Sequence, residues 1–220
     1  MKKLLIINAS PRGKRSNSRS LTELFGNQWI GNNPNDSIHY REVGQEAIPH
    51  VSELWIAAAF KPAGLRTREE VEVLEFSDQL IAELKAADII VLGSPMYNWS
   101  IPSALKAYLD QVIRVNETIE ISTKNPQNPY LGLLKDKTLY LLLSRGNGGY
   151  EKGEYYEHMN FQSSYLKTVF SIMGVDDIHE IALNGEAFGG TSFEQSVKAV
   201  HSGIQKITAH LEPINSPGSY

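Results

Sequence analysis

Three short apolar runs constrain this chain more than any other feature: Leu4-Leu5-Ile6-Ile7, Ile89-Ile90-Val91-Leu92 and Leu139-Tyr140-Leu141-Leu142-Leu143. A strand with one wet face shows a polar residue at every second position. Unbroken runs bounded by turn residues are instead strands covered on both faces. The covering layers are legible between them. From Thr67 to Lys85 the positions Val73, Phe76, Leu80 and Leu84 fall in one helical row, and Thr67 with Glu70 three residues on forms a capping box at that helix's start. Further helices are expected over Ser18–Trp29, Pro102–Arg114, Phe161–Met173 and Phe193–Leu211, and further strands over Ser37–Val43, which alternates like an edge, and Ile178–Leu183.

Strands alternating with helices of this length give a parallel sheet with right-handed crossovers. The expected fold class is therefore α/β, with a five-stranded parallel sheet in flavodoxin-like order 2-1-3-4-5 and helices on both faces. One domain over residues 1–212 and a loose tail over 213–220 suit a chain of 220 residues. In such sheets ligands bind outside the carboxyl ends of the strands where the order reverses, so the loops after the first, third and fourth strands carry the argument.

Composition removes several function classes. Lys and Arg total 21 against 25 Asp and Glu, a formal net charge of -4 that gives no field for nucleic acid or an anionic membrane. With no cysteine there is no disulfide, thiolate ligand, iron–sulfur cluster or cysteine nucleophile, so redox chemistry needs a borrowed cofactor. The six histidines have no metal-ligand spacing, and no metal is expected. The apolar run after Met1-Lys2-Lys3 breaks at Asn8, which reads as a first strand in a cytoplasmic protein, and no apolar stretch approaches the about 20 residues of a membrane span.

The first loop reads Asn8-Ala9-Ser10-Pro11-Arg12-Gly13-Lys14-Arg15-Ser16-Asn17-Ser18, hydroxyls and bases leading into a helix. Ser10, Ser16, Asn17 and Ser18 add donors to the unpaired amides of a helix start, which is the chemistry of a phosphate seat. No G-x-x-x-x-G-K-[ST] and no G-x-G-x-x-G follows the strand, so a Walker loop and a dinucleotide fingerprint are both absent. The second loop, Pro95-Met96-Tyr97-Asn98-Trp99, offers a polarizable surface for a flat ring. The third, Ser144-Arg145-Gly146-Asn147-Gly148-Gly149, lets backbone amides come close to a ligand. Each has a plainer reading when taken alone: a capped helix, aromatics packed on a neighbour, a flexible turn. Gly44–Arg66 and Asn116–Asp136 are long connections rich in aromatics and prolines, expected to cover an active site or a subunit interface, with a strand possible over Thr118–Ser122.

Together the three loops resemble the FMN-dependent NADH-azoreductase family, also described as NADH:quinone oxidoreductases, in the flavodoxin-like superfamily. The resemblance runs from the first strand to about Leu211, and is strongest where Pro95-Met96-Tyr97-Asn98-Trp99 meets the family's P-M-Y-N-F and Ser144-Arg145-Gly146-Asn147 meets its S-R-G-G. It implies FMN held at the phosphate by Ser10, Ser16, Asn17 and Ser18, beside the ring by Pro95, Met96, Tyr97, Asn98 and Trp99, and at the pyrimidine side by Ser144, Arg145, Gly146 and Asn147. It further implies NADH or NADPH as co-substrate, a quinone or azo acceptor, and a homodimer with two sites at its interface; a site shared by both substrates predicts ping-pong kinetics, and no residue is assigned as general acid. Trp99 and Asn147 depart from the pattern, and both bear on substrate choice more than on the cofactor. The rival classes are a one-electron flavin carrier and a flavin-dependent regulatory module, both working through protein partners. Turnover of free NADH separates the enzyme from the carrier.

Overall fold

The computed structural model describes residues 1–209. Its centre is a five-stranded parallel sheet of β1 (Lys3–Asn8), β2 (Ser37–Arg41), β3 (Ile89–Pro95), β6 (Thr138–Arg145) and β7 (Asp177–Asn184), in the order β2-β1-β3-β6-β7. Because a two-stranded hairpin intervenes in the chain, β6 and β7 are the fourth and fifth strands of the parallel sheet, and the topology is the 2-1-3-4-5 order expected. The order reverses between β1 and β3.

The apolar runs divide residue by residue between two cores. Leu4, Ile6, Val91 and Leu142 meet α1 (Asn17–Asn32) and α7 (Gly190–Thr208) through Leu21, Phe25, Trp29, Val200 and Ile204. Leu5, Ile7, Ile90, Leu92, Leu141 and Leu143 meet the opposite layer, α4 (Glu75–Ala86), α5 (Ser103–Val112) and α6 (Ser163–Ile172). Alternate residues of one strand thus bury into different helical layers, which is why the runs do not alternate in polarity. β2 lies at the sheet edge and is largely exposed, in keeping with its mixed sequence.

Two expectations need correction, and a third gains a partner strand. The single helix expected over Thr67–Lys85 is two: α3 (Arg68–Glu72), begun by the capping box of Thr67 and Glu70, and α4, separated by Val73 and Leu74. Leu74 is fully buried with Trp55 and Ala58, whereas Leu80, Ile81 and Leu84 belong to the sheet's core, so one straight helix does not serve both. The connection Gly44–Arg66 contains α2 (Glu53–Phe60), capped by Ser52, whose Oγ accepts from the Trp55 amide at 3.1 Å. The strand over Thr118–Ser122 is present as β4 (Ile119–Ile121), paired antiparallel with β5 (Tyr130–Gly132), a partner that had no signal of its own. The expected tail at 213–220 and the domain end at 212 lie outside the described residues.

Candidate cofactor site

Strand register brings the three loops together. Asn8 of β1 sits beside Gly93 of β3, and Pro95 of β3 beside Ser144 of β6. Backbone bonds continue past the strand ends: the Ala9 amide donates to the Gly93 carbonyl at 2.9 Å, and the Met96 amide to the Ser144 carbonyl at 2.8 Å. The loops after β1, β3 and β6 therefore form one rim at the point where the strand order reverses.

The first loop leads into a capped helix turn lined by buried serines. Ser16 is the N-cap of α1, its Oγ accepting from the Arg19 amide at 3.2 Å and lying 3.1 Å from the Ser18 Oγ. Ser10, Ser16 and Ser18 are buried and Asn17 is half-buried. Helix geometry leaves the first-turn amides without intrahelical acceptors, and the α1 dipole adds partial positive charge there. Below this turn, Arg19 is bound through Nη1 to Glu42 Oε1 at 2.7 Å and through Nη2 to Glu42 Oε2, while Asn8 Nδ2 donates to Glu42 Oε1 at 2.9 Å. Burial raises the Glu42 carboxyl, but the hydrogen bonds from Arg19 and Asn8 and the charge of Arg19 outweigh it and hold the group below its ordinary range. The Nε of Arg19 is buried without a hydrogen-bond partner. A buried donor left open costs about 1–3 kcal/mol, which the bidentate pairing of Arg19 with Glu42 offsets. The close approach of α1 to β3 requires Gly93, where a Cβ would lie 2.6 Å from Thr22 Cγ2 and 3.0 Å from the Ser18 carbonyl oxygen.

In the second loop, Pro95 is buried at the end of β3, Met96 and Tyr97 are half-buried, and Asn98 and Trp99 are exposed. Tyr97 and Ser100 exchange backbone bonds of 2.9 and 3.0 Å around Asn98 (φ 48°) and Trp99 (φ 64°). Asn tolerates this left-handed region; a bulky Trp does not, and such strain, about 1–3 kcal/mol, gathers at functional sites. The Phe161 amide donates to the Trp99 carbonyl at 3.1 Å, tying the turn to the start of α6.

In the third loop the structure divides the expected set. Ser144 is buried and offers its carbonyl to Met96, Gly146 is exposed, and Asn147 accepts from the Gly148 amide at 2.9 Å. Asn147 has no positive φ; the left-handed residue of this loop is Gly149, so asparagine stands here without backbone strain. Arg145 is fully buried, and all three of its guanidinium nitrogens are engaged within the protein: Nε to Gln162 Oε1 at 3.0 Å, Nη1 to Glu151 Oε1 at 2.9 Å and Nη2 to Glu180 Oε1 at 2.7 Å. Its side chain serves the loop's foundation.

A fourth loop, after β7, was not singled out by sequence. The Ala187 amide donates to the Gly146 carbonyl at 2.9 Å, and Glu186 Oε1 pairs with Arg12 Nη1 at 2.9 Å, joining the loops after β1 and β7 above the ends of α1 and α7. The signal available was Gly185, Gly189 and Gly190, all with positive φ, bracketing Glu186-Ala187-Phe188. Among the described residues no cluster of His, Cys, Asp or Glu could hold a metal ion, and no helix is long and apolar enough to cross a membrane.

The order of the sheet and the rim at its reversal define a flavodoxin-like protein, and residues 2–208 match a family model described as flavodoxin-like fold. More narrowly, the chain is 40% identical to the FMN-dependent NADH:quinone oxidoreductase 1 of Trichormus variabilis, over 93% of this chain and 95% of that protein. It is 38% identical to the FMN-dependent NAD(P)H:quinone oxidoreductase 1 of Pseudomonas aeruginosa, over 89% and 93%. An azoreductase structure from Bacillus anthracis strain Sterne superposes with a TM-score of 0.83 at 25% identity, covering 95% of this chain and 99% of that one. The chain belongs to the FMN-dependent NADH:quinone oxidoreductase family.

Proposed function

We infer that this protein is an FMN-dependent oxidoreductase that passes electrons from NADH or NADPH to quinones and azo compounds. The observation that carries the reading is the single rim formed by the loops after β1, β3 and β6, closed by the Ala9–Gly93 and Met96–Ser144 backbone bonds. The residues present suit FMN. Ser10, Ser16, Asn17 and Ser18 supply hydroxyl and amide donors for the phosphate. Pro95, Met96, Tyr97, Asn98 and Trp99 supply a flat, partly apolar wall. Ser144, Gly146 and Asn147 supply close backbone for the pyrimidine side, with Arg145 holding that loop in place. When bound, FMN supplies a two-electron store that takes hydride from the nicotinamide and delivers it to the acceptor.

The protein's part is to orient and shield. The strained turn at Asn98 and Trp99 fixes the wall beside the ring, and the half-exposed Trp99 borders the place that both substrates use in turn. One shared place gives ping-pong kinetics. A homodimer is the proposed assembly: α2 and the β4–β5 hairpin carry exposed Ile56, Phe60, Tyr130 and Leu131, the apolar surface that a second copy would cover. Dependence on nicotinamide cofactors suits a cytoplasmic setting.

The test is spectroscopic. Protein mixed with FMN and desalted retains the flavin; the flavin bleaches with NADH in the absence of oxygen and recovers when benzoquinone is added. Retained flavin that stays oxidised with both NADH and NADPH refutes the enzyme in favour of a carrier, and loss of the flavin on desalting refutes the reading of the rim.

A further inference from the structure

The ion pair of Arg19 and Glu42 stands directly below the phosphate seat. Arg19 follows Ser18 in the first turn of α1, Glu42 follows the end of β2, and Asn8 ends β1. Glu42 receives both terminal nitrogens of Arg19 and the side-chain amide of Asn8, whose Oδ1 accepts in turn from Thr22 Oγ1 at 2.7 Å. The Arg19 amide also donates to the Ser16 Oγ. Two strand ends and one helix turn are thus joined through a single carboxylate, and the joined turn is the one that carries the Ser16 and Ser18 hydroxyls. The backbone repeats the tie, since the Gly44 amide donates to the Asn8 carbonyl at 2.9 Å and a Cβ on Gly44 would lie 2.3 Å from the Ser10 carbonyl carbon.

The pair cancels its own charge. Arg19 is nine-tenths buried and its cation faces a bidentate carboxylate, so it adds little net field at the seat. Its contribution is geometric: it fixes where Ser16, Ser18 and the first-turn amides point. We propose that Arg19 and Glu42 are positioning residues for the phosphate of the bound cofactor, and that through them the site distinguishes a flavin carrying a terminal phosphate from one without it. This rests on the FMN reading above and deepens it.

The experiment compares FMN with riboflavin, which presents the same ring without the phosphate. Dissociation constants are measured by fluorescence quenching for the wild type, Glu42→Gln, Arg19→Gln and the double variant, with the melting temperature of each unliganded protein alongside. The expected result is an FMN dissociation constant raised about tenfold or more in each single variant, because hydrogen bonds in a charged, preorganised seat are lost. The riboflavin constant stays within about twofold, and the double variant matches the singles because the pair acts as a unit. Should Arg19→Gln not fold, the near-isosteric Glu42→Gln carries the comparison alone. Equal weakening of both flavins overturns the proposal, as the pair is then only structural, and so does unchanged FMN binding. Tighter FMN binding by Glu42→Gln overturns it too, since Arg19 would then act as a charge that Glu42 masks. A wild type that binds neither flavin is a separate outcome, which refutes the functional reading itself and this inference with it.

Discussion

Replacing Arg145 with Met tests whether that side chain supports the site or touches the ligand. The guanidinium is completely buried, and its removal opens bonds to Gln162, Glu151 and Glu180. Breaking a buried ion pair costs about 3–5 kcal/mol. Here the lower end applies, because Glu180 keeps Lys167 at 2.7 Å, Glu151 keeps the Asn184 side-chain amide at 2.8 Å, and Met fills the volume of the arginine stem. The Oε1 of the fully buried Gln162 loses the Arg145 donor, so the loss stays substantial. For a chain of this size about 3 kcal/mol lowers the melting temperature by about 6–12 °C. The assay is thermal unfolding of the unliganded protein, followed by FMN binding. Arg145→Met with Glu180→Leu recovers much of the fall, because an apolar pair replaces an ion pair with little net cost and leaves the half-exposed Lys167 to solvent. A fall of less than about 2 °C would refute the reasoning. So would full thermal stability joined to loss of FMN binding, which would place the guanidinium on the ligand.

Gly93→Ala drives a methyl to 2.6 Å from Thr22 Cγ2, forcing the first turn of α1 away from β3. Overpacking of this kind costs about 1–3 kcal/mol, so titration should show weaker FMN binding and lower stability, with recovery in Gly93→Ala/Thr22→Ser, which removes the opposing methyl and keeps the hydroxyl; no recovery would mean that another contact dominates. The Glu42 carboxyl, held below its ordinary value of 4.5 in the folded chain, contributes stability that is complete above the ordinary carboxylate range and lost as the pH falls through the folded value. Melting curves from about pH 5 down to about pH 3 should therefore fall more steeply for the wild type than for Glu42→Gln. Parallel slopes would contradict this.

The parallel sheet was legible because burial on both faces writes itself into consecutive residues: Leu4 and Leu5 enter different cores, so neither can be polar. The capping box at Thr67 and Glu70 and the helix start at Ser16 were legible for a similar reason, since their partners lie within a few residues along the chain. α2 escaped notice because Glu53–Phe60 is apolar nearly all round and shows no helical period; its Ser52 cap was the only local mark. What the tertiary structure alone decided is the use of each charge. Arg145 was read as a cofactor-binding residue, yet its side chain turns to Gln162, Glu151 and Glu180, and Arg12 meets a glutamate 174 positions away. Arg19 and Glu42 are 23 positions apart and neither stands in a motif. A hydrophobic pattern is set by the local question of which face is buried. The partner of a buried ion is set by which strand ends become neighbours, and that follows only from the order β2-β1-β3-β6-β7.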